Sequence, residues 1–154
     1  MTRKRFIAAL YCLLVATCSF GANTTWADGM RKLVLVAATG SDITRLAPAD
    51  IRKLFLGVPV NIGAETLRPL RNASDPTLDE TFLQKVVFMS RDAYERALLT
   101  RAMHGGGVRP VIYDSEAKLV SALLTDKFAV TYMWADKATA RTNLKIVAEL
   151  WQEN

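Results

Sequence analysis

Cysteine and histidine are nearly missing from this chain of 154 residues: two cysteines, Cys12 and Cys18, and one histidine, His104. Both cysteines fall within the first 27 residues, so the remainder has no thiol, no disulfide and no Cys-ligated metal. A zinc site needs three or four clustered His, Cys or carboxylate ligands, a set that one histidine does not supply. The same scarcity excludes a serine hydrolase. His104-Gly105-Gly106-Gly107 is like the oxyanion segment of some esterases, but no G-x-S-x-G elbow accompanies it, and one His cannot be both loop anchor and base. Neither G-x-x-x-x-G-K-[ST] nor G-x-G-x-x-G occurs, which removes the phosphate-cradling nucleotide fingerprints. There is no dense basic run interleaved with aromatics, so nucleic acid is not expected as a partner. With no catalytic set assembled and no cofactor implied, the chain reads as non-enzymatic.

What is present begins with export. Arg3, Lys4 and Arg5 precede an apolar run from Phe6 to Phe20, and Thr25 and Ala27 stand at the small positions a signal peptidase needs. That run of 15 residues is shorter than the roughly 20 required to span a bilayer. Residues 1–27 therefore read as a signal peptide and residues 28–154 as one mature periplasmic domain, an uncleaved anchor being the alternative. The signal also distorts the charge balance. The net charge of +5 includes three basic residues and no acids from residues 1–27, leaving 17 basic against 15 acidic residues, or +2.

Leu33 to Ala38 is a continuous apolar run, suited to a strand buried on both faces. Ala47 to Leu56 reads as a helix with Pro48 in its first turn, Ile51, Leu54 and Phe55 on its apolar stripe and Gly57 at C′. Short extended pieces follow around a turn at Gly63. Asp75-Pro76 opens a helix carrying Leu78, Phe82 and Val86 on one face, its first turn holding Asp79 and Glu80 as dipole-compensating acids. Ser90 caps another helix through Met103; a further one, begun by Asp114 or Ser115, presents Val120, Leu123 and Leu124. Strands are expected at 108–113, 128–133 and 144–147. This alternation predicts an α/β fold with a mixed or mostly parallel sheet flanked by helices. Phe55, Phe82 and Leu123 are predicted core residues.

Two places suit a small oxyanion. Thr39, Gly40 and Ser41 follow a buried strand, where backbone N–H groups and hydroxyls can cradle an anion. Arg71, Ser74 and Thr77 flank a helix N-terminus, where free N–H groups favour negative charge. Capping alone also accounts for these residue types, with Ser74 and Asp75 as cap residues and Arg71 a solvated strand end.

Three segments in order resemble the periplasmic phosphate-binding protein of ABC importers, in the type 2 periplasmic solute-binding superfamily. Leu46 to Gly57, with Ile51, Phe55 and Gly57, is similar to that family's Leu…Ile-Phe-x-Gly helix. Leu70-Arg71 running into Phe82 resembles its Arg, Ser-Gly-Thr loop and following helix. Ser115-Glu116 through Val130-Thr131-Tyr132-Met133-Trp134 is similar to its helix and Ala-Ile-Gly-Tyr-Val strand. The resemblance implies a single lobe of a two-lobed fold, a phosphate-like ligand and a membrane permease. The departures are specific. The Ser-Gly-Thr loop falls on Pro76-Thr77-Leu78 or, with one inserted residue, on Asp75-Pro76-Thr77, so its Gly is lost. Pro76 has no N–H to donate, and Asp79 would repel a dianion. Two functions stay open: an anion carrier for an ABC transporter, or a degenerate binding-protein fold that contacts a protein such as a membrane sensor.

Overall fold

The computed structural model describes residues 30–153; the signal expected over residues 1–27 and the boundary at Asp28 lie outside the described residues. The apolar run forms β1 (Lys32–Ala38), with Leu33 to Ala38 all buried. It carries no polar alternation because helices cover both faces of the sheet. α1 (Pro48–Phe55) buries Ile51, Leu54 and Phe55. It ends on Gly57 at φ 79°: Gly57 N–H bonds Leu54 O and Val58 N–H reaches back to Lys53 O, each at 3.0 Å. That paired closure needs a left-handed residue, and glycine adopts it without strain.

A hairpin of β2 (Asn61–Ile62) and β3 (Glu65–Thr66) turns at Gly63 and leads into β4 (Arg68–Asn72). α2 (Pro76–Phe82) starts where Asp75-Pro76 predicts: the Asp75 carboxylate accepts from Thr77 N–H at 2.9 Å and Leu78 N–H at 3.3 Å. It runs into a π-helical turn (Leu83–Val87) and then α3 (Arg91–Met103), capped by Ser90. β5 (Val111–Tyr113), α4 (Glu116–Thr125), β6 (Ala129–Trp134), α5 (Ala135–Thr139) and β7 (Leu144–Gln152) complete the chain. β5 is shorter and β7 longer than the apolar runs predict, and α5 and the π-turn are not expected from spacing. On α4 Leu124 is exposed, and Leu119 takes the buried place beside Val120 and Leu123.

The main sheet has the order β5-β4-β6-β1-β7. β4 pairs in parallel with β5 and β6, whereas β1 pairs antiparallel with β6 and β7. Four strands therefore run one way and β1 alone runs against them, which makes the sheet mixed. One face packs Leu33, Leu35, Val130 and Tyr132 against Phe55, Phe82 and Tyr94 of α1, α2 and α3. The other packs Val34, Val36, Leu70 and Met133 against Leu119 and Leu123 of α4 and Ala138 of α5. Phe55, Phe82 and Leu123 are each at most 1% exposed, as their helical stripes predict. Among the described residues no helix is long and apolar enough to cross a membrane.

Candidate functional site

Strand direction separates the two groups of candidate anion ligands. β1 runs against β4, so Thr39 to Ser41, just past the C-terminal end of β1, lie at the sheet end where β4 and β6 begin. Ser74 and Thr77, just past the C-terminal end of β4, lie at the other. A seven-residue strand spans roughly 20 Å between them.

The Thr39–Ser41 turn is bonded within the fold. Thr39 N–H bonds Asn143 O at 3.0 Å and Ser41 N–H bonds Ala38 O at 2.9 Å. The Thr39 hydroxyl donates to Thr142 O at 3.2 Å; the buried Ser41 hydroxyl donates to Lys127 O at 2.6 Å and accepts from Ile43 N–H. Gly40 is exposed, and a Cβ built on it would meet nothing.

At the other end the first turn of α2 is also closed. Pro76 has no N–H, and Asp75 takes those of Thr77 and Leu78. Burial works against the Asp75 charge, yet the Trp134 indole and these two amides outweigh it and hold the carboxyl below its usual range. Ser74 turns inward, its hydroxyl and N–H both meeting Asn72 Oδ1 at 2.6 and 3.2 Å. Thr77 borders an open depression of about 570 Å³ lined also by Arg31, Lys32, Asp75, Trp134 and Asp136, two basic and two acidic residues among them.

Arg71 is not a solvated strand end. It is 3% exposed and points from β4 beneath α2 and α3. Asp79 is not a solvated dipole residue either: at 1% exposed it sits directly on that guanidinium. Asp79 Oδ1 accepts from Arg71 Nε at 3.0 Å and the Tyr132 hydroxyl at 2.6 Å. Asp79 Oδ2 accepts from Arg71 Nη2 at 2.9 Å and Arg91 Nη1 at 2.6 Å. Arg71 Nη1 donates to Glu95 Oε1 at 2.5 Å, and Arg109 donates to the other Glu95 oxygen. The Arg71 guanidinium lies over the Tyr94 ring at 5.0 Å, and Tyr94 in turn donates to Phe55 O.

Electrostatics follow from this shell. Burial alone would raise the Asp79 pKa, but hydrogen bonds from Arg71 and Tyr132 and the Arg71 charge hold it below the usual carboxylate range. Burial likewise opposes the Arg71 charge and is outweighed by Asp79 and Glu95, which push its pKa up. Tyr132 is pushed well up, first by burial and then by the Asp79 charge, and so stays a donor. Of the six candidate ligands, the structure joins only Arg71 to this network; Asp79, expected only as a first-turn acid that would repel a dianion, is its acceptor, and Tyr132, Arg91 and Glu95, none of them candidate ligands, complete it. The available signal was the i, i+4 pair Arg91 and Glu95 on α3, with Tyr94 beside it.

No protein-family model and no curated protein sequence matches the chain. Solved structures do share its fold. An ABC-type phosphate transport receptor from Vibrio cholerae superposes with a TM-score of 0.55 at 12% identity, over 77% of this chain and 46% of that one. PstS from Borrelia burgdorferi superposes with a TM-score of 0.52 at 9% identity, over 77% and 47%. The chain thus spans about half the length of these proteins. Its fold is α/β and similar to a part of the ABC-type phosphate transport receptor and of PstS.

Proposed function

We propose that residues 28–154 form a non-enzymatic periplasmic module on the solute-binding fold, one whose oxyanion seat is filled from within and which acts by contacting a protein, such as a membrane sensor. The observation that carries this reading is the Asp79 carboxylate bound through both oxygens to Arg71 at 3.0 and 2.9 Å. A dianion entering there would meet a buried negative charge and would have to displace four hydrogen bonds. The exposed apolar side chains Val108, Val111 and Ile112 along the β5 edge support a protein contact.

A second reading keeps the anion, because one protein that shares this fold is an ABC-type phosphate transport receptor. On it, the ligand set is drawn from Arg71, Ser74 and Thr77, or from Thr39, Gly40 and Ser41, and the partner is a permease. Calorimetry separates the two. With phosphate or sulfate at millimolar concentration, the first reading predicts no saturable heat; saturable binding that Arg71→Ala removes would establish the second. Export is tested by N-terminal sequencing of the periplasmic fraction, with Asp28 as the expected first residue and a full-length cytoplasmic product as the contrary result.

A further inference from the structure

The Asp79 seat has the donor count and shape of a receptor for one small carboxylate. A carboxylate offers two oxygens and about four lone-pair sites. Here two donors converge on each oxygen: Arg71 Nε and the Tyr132 hydroxyl on Oδ1, Arg71 Nη2 and Arg91 Nη1 on Oδ2. The Arg71 fork presents two parallel N–H groups to one planar group, the bidentate arrangement that suits carboxylate. The Tyr132 ring that carries one of these donors is held in an aromatic cluster, stacked on Phe82 at 3.7 Å with the Phe55 ring edge-on to both. The four converging donors match the two oxygens of one planar carboxylate, whereas a phosphate would bring two further oxygens into a site where Arg71 is 3% exposed and its third hydrogen bond already goes to Glu95. The outer cover is Arg91, whose side chain is 50% exposed.

We infer that Arg71, Tyr132 and Arg91 form a complete binding shell for a small monocarboxylate, and that Asp79 is its tethered occupant. The inference rests on the reading of Asp79 as the filler of the seat, and adds the class of ligand the seat accepts. It makes a size-matched prediction. Asp79→Ala removes the carboxyl group but keeps Cβ, leaving room for formate. Asp79→Gly removes Cβ as well, leaving room for acetate.

The test is thermal unfolding of the purified wild type and both variants in formate, acetate, phosphate and chloride at matched ionic strength. Asp79→Ala should melt below wild type and regain several degrees in formate, with a millimolar dissociation constant. It should bind formate roughly tenfold tighter than acetate, because a surplus methyl would be forced into a filled core. Asp79→Gly should reverse that order, and wild type should respond to none of the four. Arg71→Met combined with Asp79→Ala removes the fork and should abolish the response. If Asp79→Ala does not fold in chloride, recovery of the folded spectrum on refolding in formate takes the place of the melting shift. Equal responses to formate and chloride, a larger response to phosphate, a response that survives loss of the fork, or no recovery in formate would each overturn the assignment. Wild-type calorimetry with phosphate is independent of these variants, so the proposed function and this inference fail separately.

Discussion

Tyr132 ties the apolar core to the buried ion pair: its ring stacks on Phe82 with centroids 3.7 Å apart and planes within 2°, while its hydroxyl donates to Asp79 at 2.6 Å. Phe82 and Asp79 are three residues apart on α2, so one side chain of β6 reads both. Tyr132→Phe keeps the stack and removes a hydrogen bond to a charged group, a loss of about 1.5–3 kcal/mol. Phe82→Ala empties a buried site and should cost about 3–5 kcal/mol. Urea unfolding of the two variants checks the order; a Tyr132→Phe loss near zero would mean that the hydroxyl does not serve Asp79.

Removing one partner of the buried pair is predicted to be far worse than removing both. Arg71→Met takes two of the four donors and the buried cation from Asp79, leaving Tyr132 and the half-exposed Arg91, and should cost about 3 kcal/mol. Arg71→Met with Asp79→Leu replaces the pair by apolar groups, and should recover most of that loss. Equal losses in the single and double variants would show that the two side chains do not act as a pair.

Acid should unfold the protein through the same carboxylates. Asp79 and Glu95 are held below their ordinary values of 3.8 and 4.5; burial opposes this, but hydrogen bonds from Arg71 to both, with Tyr132 adding to Asp79, prevail. A depressed carboxylate contributes stability that is complete above its unfolded pKa and is lost as pH falls through the folded one. Stability should therefore be level from pH 7 to about pH 5 and fall below about pH 4. The Arg71→Met, Asp79→Leu double variant should fall less steeply. Rising stability on acidification of wild type would contradict the account.

Phe88 stands where a helix ending of this kind usually has glycine. Its φ of 61° makes it the one non-glycine residue with positive φ among the described residues, and it is 69% exposed. Met89 N–H closes the π-turn by bonding Leu83 O at 3.0 Å. A bulky side chain in the left-handed region costs about 1–2 kcal/mol, partly offset by the Arg52 guanidinium 5.6 Å from the ring. Phe88→Gly should stabilise the protein by about 0.5–1 kcal/mol net, whereas Phe88→Ala, which keeps the strain and loses the ring, should not. A glycine variant less stable than the alanine variant would count against the strain.

Local signals carried much of this architecture. The Asp75 cap, Pro76 at the first helical position, the Ser90 cap and the Gly57 closure depend on neighbouring residues alone, and each is where its residue type predicts. The direction of β1 was not legible, because a strand covered on both faces shows the same unbroken apolar run whichever way it pairs. The π-turn was hidden for a related reason. Leu78, Phe82 and Val86 keep a helical spacing and are all buried, although the hydrogen bonding changes at Leu83. The burial of Arg71 is not legible because its partner Asp79 lies eight residues on, across a strand-to-helix connection. Asp79 beside Glu80 looks like an ordinary acidic first turn, yet Asp79 faces inward and Glu80 outward, where it bonds Gln84. Burial distinguishes the two, and burial is a tertiary property.

The central claim, that the Arg71 guanidinium is already engaged by Asp79, is tested most directly by the Arg71 Nε–Hε resonance in a nitrogen–proton NMR spectrum during a phosphate titration. That proton lies in the 3.0 Å bond to Asp79 Oδ1. The account predicts a sharp signal, slow to exchange with water and unmoved by phosphate up to about 10 mM, a concentration that would saturate any site of millimolar affinity or better. A saturable shift of this resonance with phosphate, in a protein that keeps its fold, would contradict it and show that Arg71 is open to a ligand.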